Sequence, residues 1–151
     1  IYYNSADGQV YIVDHGPKGG DEINQLVAGK NYGWPVATYG KDYNDEKVGI
    51  GSRYSGIEEP LHYWDPSVAP SSLLIYGGEN YQSWRNSWFV TTLREKTLIR
   101  FMRSENQLIE ERLYQNEFGR IRKIEASPTG DLFLLTDGGS GSLIKILESS
   151  R

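Results

Sequence analysis

Apolar and polar positions alternate in short blocks along this chain, and three of those blocks share one grammar. "DGQVYIVDHGPKGGDEI" covers Asp7–Ile23, "NSWFVTTLREKTLIRF" covers Asn86–Phe101, and "TGDLFLLTDGGSGSLIKI" covers Thr129–Ile146. Each opens on a small or polar turn, runs through four or five apolar or β-branched residues, and breaks into a polar loop. A second strand-like run follows the loop in the latter two. This is the pattern of a repeated β-hairpin. The six prolines stand at turn-like places, four of them beside Gly, Ser or Asp, which argues against long helices. Ser104–Tyr114, "SENQLIEERLY", fits a short amphipathic helix as well as a hairpin; its strand-like flanks favour the hairpin.

The hydrophobic runs begin at Val10, Trp88 and Leu132, 78 and then 44 residues apart. The shorter spacing matches a four-stranded propeller blade of about 45 residues. The longer one predicts a blade with an insertion, for which the polar, Gly-rich Gly40–Glu59 is the natural candidate. On this spacing 151 residues make roughly three blades and a fraction, fewer than the four to eight of a closed ring. The predicted fold is therefore all-β: a partial β-propeller of about three four-stranded antiparallel blades, forming one domain over residues 1–151.

Composition supports this and narrows the function. Aromatic residues reach 13%, with 11 Tyr and 4 Trp, a mixture suited to pleated sheet. A net charge of −4 with scattered basic residues excludes a nucleic-acid stripe, and no apolar run is long enough for a membrane span. With no cysteine there is no disulfide, thiolate nucleophile or zinc–thiolate site.

Chemistry is concentrated in a few loops. Gly16 and Pro17 form a turn dipeptide, and Pro17 lacks an N–H, so this backbone offers acceptors more readily than donors. Asp21 and Glu22 add adjacent carboxylates. Oxygen-only ligation suits a hard cation, above all calcium, although an exposed acidic turn gives the same spacing. His15 ends a strand as either ligand or packing residue, and His62 lies among aromatics. In "GRIRKI", strand alternation puts Arg120 and Arg122 on one face. Two guanidiniums side by side repel unless they share an anion, and their planar forks suit carboxylates. Arg94, in "TTLREK", follows an apolar strand and is a candidate to join them. "YWDPSVAPSS", Tyr63–Ser72, offers a rigid wall with hydroxyl donors.

Taken together, "HGPKGGDEIN", "GKNYGWP", "DPSVAPSS", "TLREK", "RIRKIEASPTGDLFLLTD" and "GSLIKI" resemble, in order, the soluble quinoprotein glucose/sorbosone dehydrogenases, especially their aldose sugar dehydrogenase branch. The resemblance implies a six-bladed propeller binding pyrroloquinoline quinone (PQQ) with calcium, and a periplasmic or secreted protein. It implies that the carbonyls of Gly16 and Pro17 hold the cofactor's calcium, and that Glu22 and the Tyr32 carbonyl hold a second, structural one. Pro66, Ser67 and Val68 would line the cofactor, with His15 nearby. Arg120 and Arg122 would grip its carboxylates. Arg94 stands where the family often has a quinone-polarising lysine, and Lys123 where it often has an acid.

In the family, hydride passes from C1 of an aldose to the quinone while a histidine takes the hydroxyl proton. That histidine and an Arg-Asn pair belong to an earlier blade than those this chain resembles. The resemblance thus places the chain in the C-terminal half of such an enzyme, inactive alone, completed by an N-terminal half or by pairing of two copies. A non-catalytic propeller-derived binding or scaffold module is the alternative.

Overall fold

The computed structural model describes residues 1–104 and 107–147. Among these residues, eleven strands form three antiparallel sheets. The first is β1 (Tyr2–Asn4), β2 (Gln9–Asp14), β3 (Asp21–Leu26) and β4 (His62–Trp64), paired in that order. The second is β5 (Pro70–Ile75), β6 (Trp88–Thr92), β7 (Leu98–Ser104) and β8 (Gln107–Leu113). The third is β9 (Arg120–Ala126), β10 (Leu132–Asp137) and β11 (Leu143–Lys145). Each is a meander in sequence order, the strand order of a propeller blade. Among the described residues there is no α-helix, and one 3-10 turn spans Gln82–Trp84.

The repeated apolar runs are β2, β6 and β10, the second strand of each sheet. Ser104–Tyr114 forms the strand side of the expected alternative: β7 and β8 pair from Leu98↔Leu113 to Ser104↔Gln107, while Glu105 and Asn106 fall outside the described residues. The third sheet has three strands among the described residues rather than the four of a full blade.

The chain divides into two compact units, Ile1–Pro70 and Ser71–Arg151. In the first, the expected insertion is longer than Gly40–Glu59. It occupies the whole β3–β4 connection, residues 27–61, held by bridges Asn31↔Ile57, Ala37↔Gly51 and Lys41↔Lys47. Its removal would make the two spacings between apolar runs nearly equal. Tyr39 from this excursion stacks on Tyr63, with ring centroids 3.8 Å apart.

The core of the second unit is built from Phe89, Val90, Leu98, Ile99, Phe101, Ile121, Ile124, Leu132 and Leu134, all essentially inaccessible to solvent. All five residues of β6 are buried, because both of its faces are covered. Its two threonines therefore need partners. Thr91 Oγ1 meets Ser71 Oγ at 2.8 Å, and Thr92 Oγ1 donates to the Thr97 carbonyl at 2.8 Å. The connection after β5 is tied to the third sheet by Tyr76 donating to the Gly130 carbonyl and Tyr81 to that of Ile146.

Candidate functional site

In the first unit, the β2–β3 loop folds so tightly that glycine is obligatory. A Cβ on Gly16 would lie 1.8 Å from the Gly19 carbonyl oxygen, and one on Gly40 would lie 1.9 Å from the same atom. Gly20, at φ +74, donates to the Trp64 carbonyl at 2.7 Å. The Lys18 carbonyl accepts from Ser67 N at 3.1 Å, and Lys18 pairs with Asp45 of the insertion at 2.5 Å. Gly16 is buried and its N–H donates to Asp21, yet no donor among the described residues reaches the carbonyl of Gly16 or Pro17. Two adjacent backbone oxygens left without a protein donor are the kind of ligand a hard cation takes.

Asp21 and Glu22 do not act together, as adjacent carboxylates invite one to expect. Strand alternation sends them to opposite faces. Asp21 is fully buried, and both of its oxygens are occupied: Oδ1 accepts from Gly16 N at 2.9 Å. Oδ2 accepts from Ser67 Oγ at 2.7 Å, Val68 N at 2.7 Å and Ala69 N at 2.8 Å. Asp21 is thus a clamp within the protein rather than a ligand.

Glu22 lies opposite Asp14 in the β2–β3 register, so the two carboxylates share one face. Burial first, then the charges of Asp14 and Glu59, push Glu22 up to about 7 against a 3.0 Å hydrogen bond from Asn24 that opposes them. Burial also raises Asp14. Asn24 is buried with its Oδ1 lacking any partner, an orphaned acceptor two residues along the strand from Glu22.

Asp14, His15, Gly16, Glu22 and Tyr32 line one cleft of about 370 Å³. The Tyr32 hydroxyl is spent on Gln25 O at 2.9 Å and Val27 N at 2.6 Å, whereas no donor among the described residues reaches its carbonyl. No set of three or more acidic or histidine side chains converges among the described residues, so a cation here would rest largely on backbone and amide oxygens.

His15 is exposed, with Nε2 2.6 Å from the Pro70 carbonyl, so that nitrogen is the donor. Pro66 is exposed, while Ser67 and Val68 are buried. The Ser67 hydroxyl is committed to Asp21, which leaves this stretch a backbone surface rather than a source of hydroxyl donors.

In the second unit, Arg120 and Arg122 both reach Asp137 Oδ2, Arg120 Nε at 3.6 Å and Arg122 Nη2 in a short ion pair. The anion that lets two guanidiniums share a face is thus a carboxylate of this protein. A register shift between Leu135 and Thr136 leaves Arg122 without a partner on β10: Lys123 faces Leu135 and Ile121 faces Thr136. This bulge allows Ile121 and Ile124, three apart, both to point into the core. Arg122 holds Asp137 below the usual carboxylate range, first through the hydrogen bond and then through its charge, with Arg120 assisting.

Arg94 is exposed in the β6–β7 turn. Ser71 Oγ donates to the Ile121 carbonyl at 2.7 Å and meets Thr91 Oγ1 at 2.8 Å, tying the end of β6 to the start of β9. Arg94, Arg120, Arg122 and Asp137 therefore stand at one end of this unit. Sequence reasoning missed Asp14, Asn24, Ser71 and Asp137. Only Asp137 carried a local signal, as an acid ending a strand whose hairpin partner begins with arginine.

The profile of the glucose/sorbosone dehydrogenase family matches residues 1–145. A crystal structure of a glucose dehydrogenase superposes with a TM-score of 0.92 at 41% identity, over 97% of this chain and 43% of that one. Aldose sugar dehydrogenase YliI of Escherichia coli is 36% identical over 95% of this chain. Quinoprotein glucose dehydrogenase B of Acinetobacter calcoaceticus is 26% identical over 88%. An all-β fold of blade-like meanders, matched along nearly its whole length, defines the class as a partial β-propeller of the dehydrogenase type. The chain belongs to the glucose/sorbosone dehydrogenase family. It spans about 39–40% of the length of these curated relatives.

Proposed function

We propose that this chain carries the cation-holding and carboxylate-holding parts of a PQQ- and calcium-dependent aldose dehydrogenase. The observation that carries the reading is the β2–β3 turn, whose Gly16 and Pro17 carbonyls meet no donor among the described residues. These carbonyls would hold the calcium that accompanies the cofactor. Glu22, the Tyr32 carbonyl and the orphaned Asn24 Oδ1 would favour a second calcium, which needs Glu22 ionised. Both donor sets are oxygen only, which fits calcium.

The Arg120–Arg122 pair would bind the cofactor's carboxylates through charge-assisted forks, in keeping with the quinoprotein name of the Acinetobacter relative. PQQ, when bound, supplies the two-electron acceptor for hydride from the sugar C1. Arg94 would place positive charge where electron density grows on the acceptor. The backbone of Pro66–Val68 would wall the cofactor and exclude water, with His15 beside the turn. Since His15 Nε2 already donates to Pro70, no base is assigned within this chain, and the isolated chain would bind without turning over.

Titration with PQQ in the presence and absence of calcium tests this. Calcium-dependent binding that weakens about tenfold or more in Arg122→Ala supports it. Absence of binding at any calcium level overturns it in favour of a scaffold module. Dye-linked aldose oxidation by the isolated chain would overturn the assignment of the base elsewhere.

A further inference from the structure

Asp21 joins two loops that are some fifty residues apart in sequence. One oxygen holds the Gly16 N–H, whose residue also presents a partnerless carbonyl. The other holds three consecutive donors, Ser67 Oγ, Val68 N and Ala69 N. To deliver the third, Ala69 adopts φ +55, a left-handed conformation that an alanine keeps only when its surroundings fix it. The Asp21 carboxylate supplies that fixing, at full burial, so its geometry is defined on both sides.

We infer that Asp21 is a positioning residue that couples a cation at the Gly16–Pro17 turn to the order of the Ser67–Ala69 loop, so that cation and cofactor bind cooperatively. The inference rests on the proposed reading of that turn. A cation on the Gly16 carbonyl fixes the residue whose N–H meets Asp21 Oδ1. The carboxylate is rigid and planar, so fixing one oxygen fixes the other, on which three donors of the second loop converge. Ordering either loop lowers the entropy that the other ligand must remove, and the effect is reciprocal.

Amide hydrogen exchange of the chain, with and without calcium chloride, tests the coupling. In the wild-type protein calcium should raise protection of the Val68 and Ala69 amides about tenfold. Asp21→Asn keeps the shape, but its NH₂ must face either Gly16 N–H or the 67–69 donors. It should hold the calcium response at these amides below about twofold. A general loss of stability would raise exchange equally with and without calcium, so the difference isolates coupling. If the Asn variant does not fold, Ser67→Ala, which removes one of three donors, should cut the response to about half. Calcium protection of the turn with no change at Val68 and Ala69 overturns the coupling alone, as does a full wild-type response in the folded variant. Failure of calcium to bind at all removes the cation reading and this inference with it.

Discussion

Arg122 is ion-paired with Asp137 across the β9–β10 hairpin, at the point where a one-residue bulge leaves Arg122 with no opposite residue in the ladder. The bulge lets two isoleucines fill the core while Arg120 and Arg122 converge on one oxygen. Arg122 is held close to its partner yet remains about half exposed, so an incoming carboxylate can reach it.

The paired arrangement fixes how anion binding responds to salt and pH. Asp137 is held below its ordinary range, so it stays ionised well into acid. A depressed carboxylate contributes stability above its unfolded value and loses it only as pH falls through the folded one. PQQ affinity through this pair should be flat between about pH 5 and 8 and should fall with ionic strength, since the groups are exposed. Isothermal titration across both variables checks this; Arg122→Ala should lower affinity about 10–100-fold and reduce the salt dependence.

Glu22 should show the opposite pH behaviour. The folded protein keeps its proton up to about pH 7, whereas the unfolded chain releases it near 4.5. Across that window the folded state binds more protons, so stability falls as pH rises and the penalty is complete above the folded value. The shift corresponds to about 3 kcal/mol. Calcium at this site displaces the proton, so its affinity should climb as pH rises through about 7. Melting curves from pH 4.5 to 8, with and without calcium, should show both trends in wild type and neither in Glu22→Gln.

The tight turn should tolerate no side chain. In Gly16→Ala the added carbon would meet the Gly19 carbonyl at 1.8 Å, a backbone atom with little room to yield. The expected cost is about 2 kcal/mol or more, together with loss of the calcium response. Gly8→Ala is the control: its φ of +71 strains an alanine, but the added carbon meets nothing. It should lower the melting temperature modestly and leave calcium binding intact.

Ser71 should matter to the arginine end without touching a ligand. Its hydroxyl joins β6 to β9 through Thr91 and Ile121. Ser71→Ala leaves the Ile121 carbonyl and the Thr91 hydroxyl short of a partner, for about 1–2 kcal/mol in chemical denaturation. A several-fold weaker PQQ affinity should accompany it, because the start of β9 is released.

Much of the architecture could be read from the chain because it rests on local rules. An apolar or β-branched run preceded by a polar turn marked β2, β6 and β10 in advance, and the uneven spacing revealed the insertion. The full extent of that insertion, residues 27–61, was not legible: "NYGWP" reads as an ordinary turn until Gly33, at φ +107, is seen bent against the Ala37 carbonyl.

The sequence by itself determined which residues carry charge and where glycine and proline stand, since side-chain chemistry and backbone freedom belong to each residue alone. Only the tertiary structure decided that Asp21 is a clamp rather than a ligand, that Glu22 is pushed toward neutrality opposite Asp14, and that Asp137 lies on both arginines. Each of those outcomes depends on which strands and loops pair and in what register, across one hairpin for Glu22 and Asp137 and between loops some fifty residues apart for Asp21. Residue type alone does not encode that.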